Sequence, residues 1–416
     1  MIRSLMIACA ASALIAPAYG ETLDEAVAAA VESNPSLAAQ RARLNATREQ
    51  LPQARADLLP QLSASASAGR TDDDFGTDEN WSAGLSASQL LFSGGGALAS
   101  VRQARANIAG AIADYDAAEQ QLILDVAAAY AGVRQAQAVL AARETTVSNL
   151  TEQLRYAEAQ FNAGLVTRTD VAQSQARLAQ ARTNFVQAQG QYSAAVEAYI
   201  RLVGHPPAEL GAPPTAAGLP ASLEDALAVA VRENPGLLSA QAAEKSADAA
   251  VDVATSNFFP NVALTAGANR SGDFEDGTDD FSSDSVGIRL SWQLFTGGSN
   301  LSRNRQSRAL RSAARFDVAA TQRSVREQVT TAWTGLQSAQ AAVVSAREQV
   351  ETAELAYRGI RLEQETGLRS TIDVLIQEDD LLNARLALAA AERDLVVAER
   401  QLLATMGVLA ENAPRP

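Results

Sequence analysis

The sequence predicts a mostly α-helical protein with some β-strand, built as two repeats that each join a β-hairpin to long coiled-coil helices. Three observations predict it. Matching motifs recur 200 to 203 residues apart; four segments alternate apolar and polar residues; and two very long proline-free stretches carry apolar residues at spacings of three, four or seven.

Residues 1–20 read as a secretory signal peptide. Arg3 lies among the first residues, Leu5 to Ile15 are almost wholly apolar, and Ala16 to Gly20 are small or turn-forming. Cleavage fits after Ala18 or after Gly20, the second preferred because Glu21 opens a helical pattern. The apolar run is about half of the ~20 residues that a spanning helix needs. The single cysteine, Cys9, lies inside it, preceded by too little apolar sequence for a good lipidation site. The mature chain is therefore expected to have no disulfide or thiol chemistry.

Composition narrows the function. The chain has one histidine and one cysteine, and Lys245 is the only lysine among 34 basic residues. His205 sits in Gly204-His205-Pro206-Pro207, a linker composition. Most enzyme chemistries lack their usual groups here, so no enzyme, cofactor or metal is expected. The net charge of -14 gathers in two base-free segments, Thr71 to Asn80 and Ser271 to Asp284. Without a basic surface there is nothing to release counterions from phosphates, which excludes nucleic acid as a partner.

The repeat sets the organisation. Leu23-Asp24-Glu25-Ala26 matches Leu223-Glu224-Asp225-Ala226, Asn34-Pro35 matches Asn234-Pro235, and Leu58-Leu59-Pro60 matches Phe258-Phe259-Pro260. Past the acidic segments, Leu91-Phe92-Ser93-Gly94-Gly95 matches Leu294-Phe295-Thr296-Gly297-Gly298, and Gly204 matches Gly407. The first repeat spans 21–203, a proline-rich linker 204–220, the second repeat 221–407, and a short tail 408–416.

Each repeat opens with a short helix signal before its Asn-Pro and a second helical pattern running to about Asp57 or Asn257, and Pro52 is expected to kink the one that ends near Asp57. Hairpins follow at about 60–91 and 260–295, with the acidic segments as their turns. The clearest strand alternates Val286, Ile288, Leu290, Trp292 and Leu294 with Gly287, Arg289, Ser291 and Gln293. After each Gly-Gly comes a long helix, about 98–163 and 300–365, then a return helix, about 170–203 and 373–406. At 1.5 Å per residue the long helices reach about 100 Å, too charged and too long to cross a bilayer, so they stand in water. Four strands with one apolar face suit an outer-membrane barrel but cannot close one, because known barrels begin at about eight strands. Several chains must share the sheet.

The repeat, the paired Asn-Pro, the Gly-Gly junctions, and the tips Phe161-Asn162-Ala163-Gly164-Leu165-Val166-Thr167-Arg168-Thr169-Asp170-Val171 and Gly367-Leu368-Arg369-Ser370-Thr371-Ile372-Asp373-Val374-Leu375 resemble the TolC family. The likeness covers nearly the whole mature chain. It implies a homotrimer with a 12-stranded barrel in outer-membrane lipid, continuous with a periplasmic α-helical barrel. It further implies export by multidrug efflux or type I secretion, with a periplasmic adaptor and an inner-membrane ABC, RND or MFS transporter as partners. Gly164, Leu165, Val166, Gly367 and Leu368 would be adaptor-docking tips, and Asp170, Arg369, Asp373 and Arg168 the periplasmic entrance. Arg369 would tie the entrance helices together and Asp373 would ring the narrowest point. Two positions depart from the family: the second ring aspartate falls on Ile376, with Glu378, Asp379 and Asp380 nearby, and an entrance tyrosine falls on Gln364.

A simpler reading of the tip acids stands beside the gate. Thr167 with Asp170 and Ser370 with Asp373 have the spacing of helix N-caps, each acid facing a helix dipole. For the acidic hairpin segments, ordinary solvated turns are the expectation rather than sites for divalent cations. The rival architecture, a periplasmic coiled-coil adaptor, would carry one long helical hairpin rather than two.

Overall fold

A computed structural model of the chain describes residues 21–74, 76–274 and 281–410. The expected signal peptide, most of the C-terminal tail and part of each acidic segment lie outside the described residues. The first repeat runs α1 (Leu23–Ser33), α2 (Pro35–Arg48), α3 (Gln50–Ala56), β1 (Gln61–Asp73), β2 (Gly76–Phe92), α4 (Gly96–Asn162) and α5 (Arg168–Val203). The second runs α6 (Leu223–Glu233), α7 (Pro235–Ser256), β3 (Asn261–Asp273), β4 (Phe281–Ser291), α8 (Ser299–Glu365) and α9 (Thr371–Met406).

Local chemistry accounts for the boundaries. Asn34 ends α1 and caps α2, with Pro35 at the first helical position, where a missing N–H is no loss. Its side-chain oxygen accepts from Ser36 N at 2.9 Å, and its amide donates to Leu202 O at 3.1 Å, which fastens this corner to the end of α5. Asn234 repeats the device, accepting from Leu237 N at 3.0 Å and donating to Thr405 O at 2.9 Å on α9. The first helix breaks at Glu49, between α2 and α3. Pro52 supplies no N–H to the carbonyl of Arg48 and crowds it. The second repeat has no proline there, and α7 runs unbroken.

The four strands form one antiparallel sheet in the order β1-β2-β3-β4. Leu62 lies opposite Ala87, Leu85 opposite Ala268, and Val262 opposite Leu290. One face therefore carries Leu62, Ala64, Ala66, Leu85, Ala87, Leu264, Ile288 and Leu290. The other is rich in serine, with hydroxyl pairs Ser63–Ser86 at 2.7 Å and Ser67–Ser82 at 2.8 Å.

Two sequence expectations are corrected here. Neither acidic segment is simply a turn: in the second, β3 reaches Asp273 and β4 starts at Phe281, and in the first, β1 reaches Asp73 and β2 starts at Gly76, so Thr71 faces Asp78 and Arg70 faces Glu79, with an ion pair of 2.9 Å. A cross-strand cation draws one acid into the ladder. Conversely β4 stops at Ser291, leaving Trp292 and Leu294 beyond the strand. Its partner β3 begins at Asn261, opposite Ser291, so no backbone remains within the chain for later residues to pair with.

The junctions that turn strand into helix need a left-handed backbone at two successive residues, φ 60 and 84 at Gly94 and Gly95 and again at Gly297 and Gly298. A Cβ on Gly94 would also lie 2.6 Å from that of Phe259. Below them, α4 and α8 are 67 residues each, about 100 Å long. In the half nearer the sheet, α7 lies between α4 and α8; in the far half, α9 lies between them and α5 flanks α4. The main core sits midway along, where Leu23, Val27 and Ala30 of α1 meet Val126 and Tyr130 of α4 and Leu202 of α5. A parallel cluster joins Ala226 and Ala230 to Val329, Leu336 and Met406. Among the described residues no helix is long and apolar enough to cross a bilayer.

Candidate functional site

Both ends of the molecule carry features that its core does not require. At the far end, α4 turns into α5 and α8 into α9 through matching tips. Leu165 N donates to Gln160 O at 2.9 Å and Leu368 N to Glu363 O at 2.8 Å, closing each helix over a left-handed glycine, Gly164 or Gly367. Leu165 and Leu368 are about three-quarters exposed, and Val166 is half-buried.

The tip acids are held locally. Thr167 donates to Asp170 through its N–H at 2.8 Å and its hydroxyl at 2.7 Å, and Ser370 does the same to Asp373 at 3.0 and 2.8 Å. These bonds hold both carboxyls below the usual aspartate range, side-chain donors contributing most and the Arg369 charge adding to the effect at Asp373. Arg369 donates to Glu363 at 2.8 Å, within its own tip. Arg168 is exposed on the first turn of α5. Within one chain, then, the structure joins Asp170 to Thr167 and Arg369 to Glu363, while Asp373 sits near Arg369. Ile376 is exposed, Asp379 and Asp380 are exposed, and Gln364 is buried with its amide 3.5 Å from the Thr371 hydroxyl.

Some polar anchors had no signature in the sequence. Glu378 is buried and accepts from Asn149 at 2.9 and 3.2 Å, tying α9 to α4. Burial, and after it the same carboxylate, raise the Tyr357 phenol well above its usual range. Glu21 accepts from the hydroxyl of Tyr199 and from Ala208 N at 3.1 Å. Buried Arg400 donates to Glu399 and to Pro214 O, both at 3.0 Å, pinning the linker to α9; desolvation lowers its pKa.

At the other end, the apolar sheet face is exposed, Ile288 by 70% and Val286 by 80%. It is bounded above by Arg70 and Arg270 and below by Phe258, Phe259 and Trp292. Trp292 Nε1 donates to Phe258 O at 3.1 Å, so its ring has a satisfied polar end, as suits a membrane interface. From Leu62 to Arg70 at about 3.4 Å per residue is roughly 27 Å along the strand, and with the aromatic rows below it this matches an apolar band of about 25 Å on tilted strands.

An apolar sheet face on helices some 100 Å long defines the class of outer-membrane channel proteins with a helical tunnel. The sequence matches the family described as outer membrane efflux protein over residues 26–205 and 226–408. It is 32% identical to the outer membrane efflux protein BepC of Brucella suis, covering 94% of this chain and 86% of that one. It is 27% identical to the outer membrane protein TolC of Vibrio cholerae, covering 98% and 95%. The CmeC outer membrane channel of Campylobacter jejuni has the same fold, with a TM-score of 0.82 over 94% of this chain and 86% of that one at 16% identity. The chain belongs to the outer membrane efflux protein family.

Proposed function

We propose that three copies of the chain close a 12-stranded barrel in the outer membrane above a helical tunnel, and that the tunnel passes efflux or secretion substrates delivered from the inner membrane. The observation that carries this reading is the open four-stranded sheet. Its outer strands, β1 and β4, leave unpaired edges beside an apolar face, and unpaired backbone cannot face lipid. Closure with further copies removes both edges. Mass measurement of the detergent-solubilised mature protein tests it. A trimer is expected, and a stable monomer would overturn the architecture.

The far end serves as the periplasmic entrance. Gly164, Leu165, Val166, Gly367 and Leu368 present apolar groups to an adaptor, which links the tunnel to an ABC, RND or MFS transporter. Asp170, Arg369, Asp373 and Arg168 form the gate. The matched positions of Asp170 and Asp373 on the two tips and the exposure of Arg168 and Arg369 beside them support this reading, and the local hydrogen bonds of the two aspartates make capping the second one. Exposed pairs of this kind are weak and screened by salt, so docking of an adaptor can rearrange them. Arg369→Ser should raise single-channel conductance in planar bilayers. Unchanged conductance in Arg369→Ser would remove that residue from the gate, and unchanged conductance in Asp170→Ala together with earlier thermal loss would return the tip acids to capping alone.

A further inference from the structure

We propose that arginines on the outward face of α4 and α8, just below the apolar band of the sheet, bind the phosphate headgroups of anionic phospholipids in the inner leaflet of the outer membrane. The inference rests on the sheet standing in lipid.

The overall charge of -14 conceals this belt. Residues 96–113 of α4 and 299–316 of α8 contain no acid, yet the first stretch carries Arg102 and Arg105 and the second carries five arginines. Some of these are neutralised by α7. Arg102 pairs with Asp252 at 3.0 Å, and Arg311 and Arg315 reach Asp248 at 3.7 Å. Arg105, Arg303, Arg305 and Arg308 have no ion pair among the described residues.

Hydrogen bonds to the neighbouring helices show which way these side chains face. Over 97–112 the exposed residues of α4 are Leu98, Arg102, Arg105, Ala109 and Ile112, and spacings of four and three place them on one helix face. Asn107 lies on the opposite face and bonds to both neighbours, donating to Gln50 of α3 at 3.2 Å and accepting from Ser246 of α7 at 2.7 Å. A short side chain that reaches both neighbours stands on the narrow, concave side of a curved wall. The stripe of Leu98, Arg102 and Arg105 therefore stands on the convex side, outside the tunnel. The repeat carries it onto Leu301, Arg305 and Arg308, and all three are exposed. The same shift of 203 residues carries Ser100, one heptad before Asn107, onto Arg303, which belongs to the tunnel side.

The stripe continues the membrane face downward. Leu98 and Leu301 are about three-fifths exposed, an apolar step beneath Phe258, Phe259 and Trp292. Along the helix axis Arg305 lies about 6 Å below Leu301 and Arg308 about 10 Å below it. The headgroup layer is roughly 5–8 Å deep on each side of the hydrocarbon core. Side chains of an α-helix lean toward its N-terminus. For α4 and α8 that direction is toward the bilayer, so the guanidinium groups rise into the headgroups while their stems follow apolar surface. A guanidinium meets phosphate oxygens with a planar fork of donors. A phospholipid thus matches both parts of the stripe, acyl chain to leucine and phosphate to arginine, whereas a soluble anion would leave the leucines bare.

The tryptophans make the test direct. Trp292 lies at the lower edge of the sheet beside the start of α8, Trp81 lies on β2, and Trp333 lies on α8, about 50 Å beyond its start. Full-length protein carrying Trp81→Phe is reconstituted into equimolar phosphatidylcholine and phosphatidylglycerol vesicles, with brominated acyl chains on one lipid or the other, and quenching of Trp292 is compared. Phosphatidylglycerol should quench as though bound about fivefold more tightly, the effect of one basic residue near an anionic surface, and high salt should remove the difference. Arg105→Gln with Arg305→Gln and Arg308→Gln should bring the two lipids to parity. Arg105→Lys with Arg305→Lys and Arg308→Lys should keep the preference, as should Arg303→Gln alone. Equal quenching in the parent overturns the belt, as does a preference that survives the three glutamines or one lost in Arg303→Gln. No quenching by either lipid would instead sink the placing of the sheet in the bilayer. The parent comparison needs no change in the belt, so it decides the matter even if the glutamine variant fails to assemble.

Discussion

Replacing Ile288 by arginine probes the membrane face most directly. Ile288 is exposed and lies opposite Leu264 on the apolar side of the sheet. It is four residues from Asp284, where that face turns polar, and four from Trp292, the lower aromatic row. Each interval is about 14 Å along the strand, or roughly 10 Å of depth at a tilt near 40°, so Ile288 stands close to the bilayer midplane. An arginine there costs about 2–4 kcal/mol per chain, and in the proposed trimer three copies bring the cost to roughly 6–12 kcal/mol. Ser291→Arg is the matched control, since Ser291 belongs to the serine-rich face, which already carries Arg289. The assay is the yield of heat-modifiable trimer in the outer-membrane fraction. Ile288→Arg should abolish most of it while Ser291→Arg leaves it near the parent. Equal losses would refute the assignment of faces.

At the two helix tips, Asp170 and Asp373 have pKa values below the usual carboxylate range, so their bonds contribute fully above the unfolded pKa near 4 and are lost as pH falls through the folded values. Hydrogen-exchange protection factors at the first turns of α5 and α9, which correct for the intrinsic pH dependence of exchange, should therefore be unchanged from pH 8 to 5 and fall only under stronger acid; a fall near pH 6 would contradict this. Asn234→Ala removes a cap, about 0.5–2 kcal/mol, and strands the Thr405 carbonyl, about 1–3 kcal/mol. The protein should lose stability accordingly, by roughly 1.5–5 kcal/mol per chain, and a melt within error of the parent would show that the corner does not fasten α9. Gly407→Ala should be as damaging, because φ is 90 there and the new Cβ would lie 2.2 Å from Glu233 O; normal trimer yield would disprove that close approach.

The local half of this structure could be read from the chain. Leu62 to Ala68 and Val286 to Leu290 announce strands by their period of two, the proline-free runs announce α4 and α8, and Gly94-Gly95 and Gly164 announce turns through backbone that other residues rarely adopt. These are short-range effects, decided by side-chain spacing and φ preference. The tip acids were legible in the same way, as caps three residues from Thr167 and Ser370. The tertiary structure alone decided the rest. Nothing local to Glu378 says that its partner is Asn149, 229 residues away, nor that Arg369 turns to Glu363 instead of across the tips. The end of β4 is the plainest case: Trp292 and Leu294 continue the alternation, yet a strand persists only where a neighbour satisfies its backbone, and β3 begins at Asn261, opposite Ser291. Periodicity belongs to the sequence, whereas pairing belongs to whatever backbone or buried polar group the fold brings within hydrogen-bonding reach.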